Sequence, residues 1–169
     1  MSRQPYVLCV DIGGTHTKLS FVDASGTIRD FRRISTEARG TDPQPYLNRL
    51  FQEIDTMIAP AEADSLLGVG ISTAGELDSE RRRIIIVGNT CALRNFDLCG
   101  AFEARYAVPV TLNNDLKAHS LGEYYYGCDG GARRFMCLAV GTGVNAAVPV
   151  DGKPLIIDAG NSGNTAHHH

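Results

Sequence analysis

The chain has no apolar run long enough to cross a membrane, and its opening MSRQPYVLCVDIGG lacks the extended apolar core of a signal peptide. It also lacks an excess of positive charge. Lys and Arg number 16 against 19 Asp and Glu, a formal net charge of −3, so no global field draws it to nucleic acid or to an acidic membrane. The local clusters Arg32–Arg33 and Arg81–Arg83 read as solvated strand ends or turns. Its five cysteines (Cys9, Cys91, Cys99, Cys128 and Cys137) contain no CxxC pair. An odd, scattered set argues against a secreted disulfide framework and points to a reducing cytoplasm. Cys9 and Cys137 lie inside apolar runs, where a thiol behaves as a small hydrophobe. The phosphate-binding pattern GxxxxGK(S/T) is missing, and the glycines near the N-terminus do not open into a helix as a dinucleotide-binding turn would.

What is there is an ordinary globular composition, 43% hydrophobic and 21% charged over 169 residues, enough for one domain or one domain and part of another. Tyr6–Val10 reads as a buried strand ending at Asp11–Ile12–Gly13–Gly14–Thr15. Lys18–Val22 alternates at period two, Asp23–Gly26 turns the chain, and Thr27–Ile34 alternates again, so the opening is a three-stranded meander. Leu47, Leu50, Phe51, Ile54 and Ile58 recur at helical spacing within 45–59. Leu66–Ile71 is a strand, and 73–87 a loop and β-excursion with Ser79–Arg83 at its polar tip. Leu98–Tyr106 is a helix, Val108–Leu112 a strand, and Asp115–Tyr126 a helix capped by Asn113 or Asn114. Two further strands, Phe135–Val140 and Val144–Val150, flank Gly141–Thr142–Gly143; Asp151–Gly152 then turns the chain into Pro154–Ile157. The fold class is α/β, a mixed sheet in which helical crossovers follow the meander.

Three segments carry chemistry. Asp11–Gly13–Gly14–Thr15 lets backbone N–H groups approach a phosphate without Cβ interference. Asp11 is placed to hold Mg²⁺ through water, with Thr15 or Lys18 on phosphate oxygens. The bland alternative is a plain glycine hairpin turn. Asn113–Asn114–Asp115 sits at a strand-to-helix junction, where a carboxylate can accept a proton from an attacking hydroxyl or simply cap the helix. Gly141–Thr142–Gly143 fits a second phosphate loop or a simple hairpin equally well.

In this order the segments resemble the ROK family (repressors, open reading frames and kinases) of the actin-like, ribonuclease H-like ATPase superfamily. The resemblance runs through D-I-G-G-T (Asp11–Thr15), G-I-S-T-A-G-E-L-D (Gly70–Asp78), N-N-D-L-K-A-H-S-L-G-E (Asn113–Glu123), V-G-T-G-V (Val140–Val144) and G-N-T-A-H (Gly163–His167). It implies a sugar kinase of glucokinase type using ATP and Mg²⁺ on a hexose or amino sugar. Asp115 would be the catalytic base. Asp11, Gly13, Gly14, Thr15 and Lys18 would form the first phosphate and Mg²⁺ loop, and Gly141, Thr142 and Gly143 the second. Asn89, Asn114, Gly75 and Asn164 would contact the sugar, whose hydroxyls suit such amide donors and acceptors.

Departures from the family pattern are specific. Asn164 stands where the family has a sugar-gripping Glu, which removes a charge-assisted bond. Ala166 replaces a glycine, and Arg94 lies where glucose-type members often have Trp. His167 matches a zinc-ligating histidine whose cysteine partners do not follow, so no zinc site is expected. The resemblance also implies a first lobe over 1–126 and the beginning of a second over 127–169, with the remainder of that lobe lacking and the chain alone inactive. Apolar edges from Phe135 onward are then expected to be exposed and to favour self-association or partial disorder. The competing reading is a non-catalytic sugar sensor, regulator or pseudokinase of the same family. A repressor's DNA-reading helices would precede the D-I-G-G-T lobe, and ten residues stand before Asp11, so nucleic acid is not an expected partner. A cell-division or chaperone ATPase of the actin type fits the N-N-D segment poorly.

Overall fold

The computed structural model describes residues 5–58, 63–86, 88–128, 130–140 and 144–154. Strand β1 (Tyr6–Ile12) alternates buried and half-buried along its length, and β2 (His16–Asp23) and β3 (Ile28–Ser35) complete an antiparallel meander. Asp23 turns the chain between them: its carboxylate accepts from the Ser25 and Thr27 amides while Gly26 takes a positive φ of 82°. Helix α1 (Gln44–Met57) starts with proline in its first turn, the Asp42 carboxylate accepts from the Gln44 amide at 2.9 Å, and the helix drives Tyr46, Leu47, Leu50 and Ile54 into the core.

Strand β4 (Leu66–Thr73) then runs parallel to β1. A small excursion follows, β5 (Glu76–Leu77) paired with β6 (Ile84–Ile86). Helix α2 (Leu98–Tyr106) is capped by Asp97, whose carboxylate accepts from the Gly100 amide at 2.9 Å. Strand β7 (Val110–Asn114) joins β4 in parallel, giving a five-stranded mixed sheet in the order β3-β2-β1-β4-β7. The expected strand at 108–112 thus lies two residues later and ends on the asparagine pair itself.

One core unites Tyr6, Leu8, Val10 and Ile12 of β1 with Leu47, Leu50 and Ile54 of α1 and Leu98 and Phe102 of α2. Helix α3 (Asp115–Gly122) leaves the end of β7 and continues as a π-helical turn over Glu123–Gly127, so the helix expected through Tyr126 loses its α geometry after one residue past Leu121. The last described elements are β8 (Cys137–Val140) with β9 (Val144–Ala147), and β10 (Pro149–Val150) with β11 (Lys153–Pro154). The second strand expected as one piece through Val150 is broken at Val148 into β9 and β10. Leu138 is 54% and Val140 73% exposed, as the sequence leads one to expect of these faces. No described helix is long and apolar enough to cross a membrane.

Candidate active site

The site grows out of strand register. Alternation along β1 sends Leu8, Val10 and Ile12 to the core and leaves Asp11 facing the other side of the sheet. Pairing sets Asp11 beside Lys18 of β2 and Ser72 of β4. Ser72 Oγ donates to Asp11 Oδ1 at 2.7 Å and Lys18 Nζ donates to Oδ2 at 3.1 Å. The Lys18–Asp11 pair is solvent-exposed and contributes little to stability; it leaves both charged groups available to a ligand.

The turn after β1 is clamped from behind. The Gly13 amide donates to the His16 carbonyl at 3.0 Å, its own carbonyl accepts from Thr36 Oγ1 at 2.8 Å, and the Thr36 amide donates to the Thr15 carbonyl at 2.9 Å. Thr36 in turn shares a buried chain of hydroxyls with Thr17 at 3.0 Å and, through Thr17, with Tyr46 at 2.9 Å. Gly14 and Thr15 remain exposed at the tip. A Cβ on Gly14 would lie 3.1 Å from the Asn89 side chain, so Asn89 abuts the turn and a larger residue at 14 would have to push it aside.

At the other side of the sheet, Asn114 ends β7 and caps α3. Its side-chain oxygen accepts from the Leu116 amide at 3.1 Å and its amide donates to the Gly75 carbonyl at 3.2 Å. Gly75 has φ of 105°, and a Cβ there would collide with the Ile86 carbonyl. Asn114 is only 3% exposed and both its groups bond within the chain, whereas Asn89 is exposed; these are the two amides of the expected sugar set among the described residues. Of the two candidate caps, Asn114 is the one used. Asp115 opens α3, exposed, with one carboxylate oxygen accepting from the Leu116 amide at 2.8 Å.

A cleft of roughly 590 Å³ is lined by Asp11, Gly13, Lys18, Ser72, Asp115 and His119, among others. The glycine turn and the Asn-Asn-Asp junction, distant in sequence, therefore open on one space. Ser72 and His119 were not singled out from the sequence. Ser72 becomes visible only through its register with Asp11, whereas His119 stands four residues after Asp115, the spacing that shares a helix face. Gly141, Thr142, Gly143 and Asn164 lie outside the described residues. Among the described residues no group of three or more His, Cys, Asp or Glu side chains is placed to hold a metal ion. The single exposed carboxylate of Asp11, beside a glycine turn, fits an Mg²⁺ held mainly by phosphates and water rather than by a protein cage.

A strand-turn-strand bearing D-x-G-G-T, set against a strand-to-helix junction bearing Asp115 on a mixed sheet, defines an α/β lobe of the actin-like ATPase class. The chain belongs to the ROK family, whose sequence pattern matches residues 7–169. A glucokinase from Streptomyces coelicolor is 29% identical over 144 residues, covering 85% of this chain and 43% of that protein. A xylose repressor from Caldicellulosiruptor bescii is 25% identical over 163 residues, covering 95% of this chain and 40% of that protein. The structure of a ROK family glucokinase from Streptomyces griseus in complex with glucose and AMPPNP superposes with a TM-score of 0.70 at 27% identity, covering 95% of this chain and 48% of that one. The chain spans about half the length of the curated relatives it matches.

Proposed function

We propose that this chain forms the first lobe, over 1–126, and the opening of the second lobe of a cytoplasmic kinase that transfers the γ-phosphoryl group of ATP to a sugar hydroxyl. The observation that carries the reading is the shared cleft: the glycine turn with Asp11 and Lys18 on one wall, and Asp115 on the other. In the proposed reaction Asp115 accepts the proton of the attacking hydroxyl, the sugar oxygen bonds to the γ-phosphorus, and the bond from that phosphorus to the β–γ bridging oxygen breaks. ADP leaves with the bridging electrons, and the proton remains on the Asp115 carboxyl until solvent removes it. ATP and Mg²⁺ supply the electrophile and its charge neutralisation. The chain's own part is to seat phosphates on the Gly14 and Thr15 amides, hold Asp11 towards the cation through Ser72, and place Lys18 on a phosphate oxygen. Asn89, next to Gly14, aligns the sugar, while Asn114 keeps Asp115 in place through the cap. Gly141–Gly143 and Asn164 complete the phosphate and sugar contacts in this reading.

Sugar kinases among the relatives support the assignment: glucokinases, a fructokinase and N-acetylmannosamine kinases. The repressor relative supports a second reading, in which the same cleft senses a sugar without turning it over. ATP consumption by the full-length parent, measured against hexoses and N-acylated amino sugars, separates the two. Turnover with one sugar, reduced on the order of 10²–10⁴-fold in Asp115→Asn, is the expected result. Binding without turnover would move the protein to the sensor class, and undiminished turnover in Asp115→Asn would remove Asp115 as the base.

A further inference from the structure

We infer that Thr36 is a positioning residue for the phosphoryl donor: through the Gly13 carbonyl it aims the Gly14 amide towards the cleft. Thr36 is 0% exposed, so it touches no ligand and acts only through the turn it holds. This role presupposes the glycine turn as the phosphate seat proposed above.

Proton counting fixes the direction of the hydroxyl row behind the turn. A carbonyl can only accept, so Thr36 Oγ1 spends its one proton on the Gly13 oxygen at 2.8 Å. Thr36 is then the acceptor in its 3.0 Å contact with Thr17, which must donate. Thr17 has no proton left for Tyr46, so the phenol donates to Thr17 at 2.9 Å. All three hydroxyls therefore point one way, from Tyr46 of α1 through Thr17 of β2 and Thr36 to the Gly13 carbonyl. Each donor in such a row polarises the next, and Thr17 and Tyr46 are as deeply buried as Thr36.

The peptide at the end of the row is the one that matters to a ligand. In a planar trans unit the C=O and N–H point in opposite directions, so drawing the Gly13 carbonyl inwards turns the Gly14 N–H outwards. Gly13 lines the cleft with Asp11, Lys18 and Asp115, and among the described residues the Gly14 amide donates to no acceptor. A Gly-Gly unit has no Cβ to restrict that plane. Among the described residues, the Thr36 hydroxyl alone donates to the Gly13 carbonyl.

Thr36 is in turn fixed from two sides. Its amide donates to the Thr15 carbonyl at 2.9 Å, and its own carbonyl accepts from the Arg49 guanidinium of α1 at 3.0 Å. The residues on either side of Gly14 are thus tied to one threonine just past the end of β3, which α1 holds from behind. A threonine with only a structural role would lower stability when lost and weaken donor and sugar binding alike. A positioning threonine weakens the donor selectively.

The test is calorimetric titration of the full-length parent with AMPPNP and Mg²⁺, and separately with the sugar it binds, in wild type, Thr36→Val, Thr36→Ser and Tyr46→Phe, with a urea midpoint for each. Thr36→Val should weaken AMPPNP binding roughly tenfold, the scale of one hydrogen bond to a charged group, with sugar affinity held within about twofold. Thr36→Ser keeps the proton and should restore donor affinity. Tyr46→Phe removes a hydroxyl from the far end of the same row; it should lower the urea midpoint and leave donor affinity at the wild-type value. If Thr36→Val does not fold, Thr36→Cys replaces it: a thiol is a weak donor, so AMPPNP affinity should fall below that of Thr36→Ser while sugar affinity holds. Unchanged donor affinity, equal losses for donor and sugar, or a loss matched in Tyr46→Phe would overturn the role of Thr36 and leave the glycine turn as the phosphate seat. A wild type that binds no AMPPNP would overturn that seat, and the role of Thr36 with it.

Discussion

At the start of α3 two adjacent side chains divide stability from the proposed chemistry. Asn114 is buried and bonded at both ends, to the Leu116 amide and the Gly75 carbonyl. Asn114→Ala removes a helix cap and strands a carbonyl, and should cost about 1–3 kcal/mol in urea unfolding. Asn114→Asp keeps the capping oxygen and loses the donor, so it should fall between the two. Asp115 is exposed, and Asn at that position can still accept from the Leu116 amide. Asp115→Asn should therefore unfold within experimental error of wild type, so a loss of turnover in it cannot be ascribed to unfolding. If Asn114→Ala proved neutral, the cap would not be what fixes Asp115. The asparagine pair and the aspartate were legible in the sequence because caps and junction carboxylates are local features. Arg81 was not: it reads as a tip residue in a run of three, and its turn towards Asn113 depends on Glu103 and Asp97 taking Arg82 instead.

The elements show a similar division. Alternation in Lys18–Val22 and the spacing of Leu47, Leu50 and Ile54 were sufficient to predict β2 and α1, because each pattern is set by burial of one face. What joins those elements to the glycine turn is a buried hydroxyl chain, Tyr46 to Thr17 to Thr36 to the Gly13 carbonyl, and hydroxyl partners leave no periodicity to read. Tyr46 is 1% exposed, so Tyr46→Phe should cost about 1 kcal/mol at neutral pH while leaving the fold intact. Burial also raises the pKa of its phenol well above the ordinary tyrosine range. The folded state thus keeps Tyr46 neutral to a higher pH than the unfolded chain does. Its contribution is whole below about pH 10 and is lost as pH climbs towards the raised folded value. Tyr106 is raised in the same way, and Lys117, lowered, acts with the opposite sign. The difference between wild type and Tyr46→Phe cancels both. Urea midpoints from pH 8 to 11.5 should show that difference shrinking and then reversing above pH 10. A constant difference would mean that Tyr46 ionises as freely folded as unfolded.

Across the whole molecule, cohesion is uneven. The five-stranded sheet has helices on its core face and a continuous set of fully buried side chains, and its order follows from the meander and two parallel crossovers. That much was legible, because a three-stranded alternating opening followed by strand and helix alternation leaves few right-handed arrangements. The excursion at β5–β6 and the π-helical end of α3 were only partly so, since both depend on contacts made elsewhere. Beyond Gly127 the described strands pair only as hairpins, β8 with β9 and β10 with β11. An isolated two-stranded hairpin is marginal in water, and here Leu138 and Val140 present most of their surface to solvent while Ala147 is buried. Amide exchange should resolve two tiers: β1 and β4 opening only with global unfolding, and β8–β9 opening locally at far lower free energy. Raising the protein concentration adds a second discrimination. Protection of β8–β9 that stays constant marks a hairpin held only by α3, whereas protection that grows with concentration marks Leu138 and Val140 covered by a second copy, which Leu138→Lys should abolish. Equal protection of β8–β9 and β1 at low concentration would refute the two-tier picture and make the hairpin part of the same cooperative unit as the sheet.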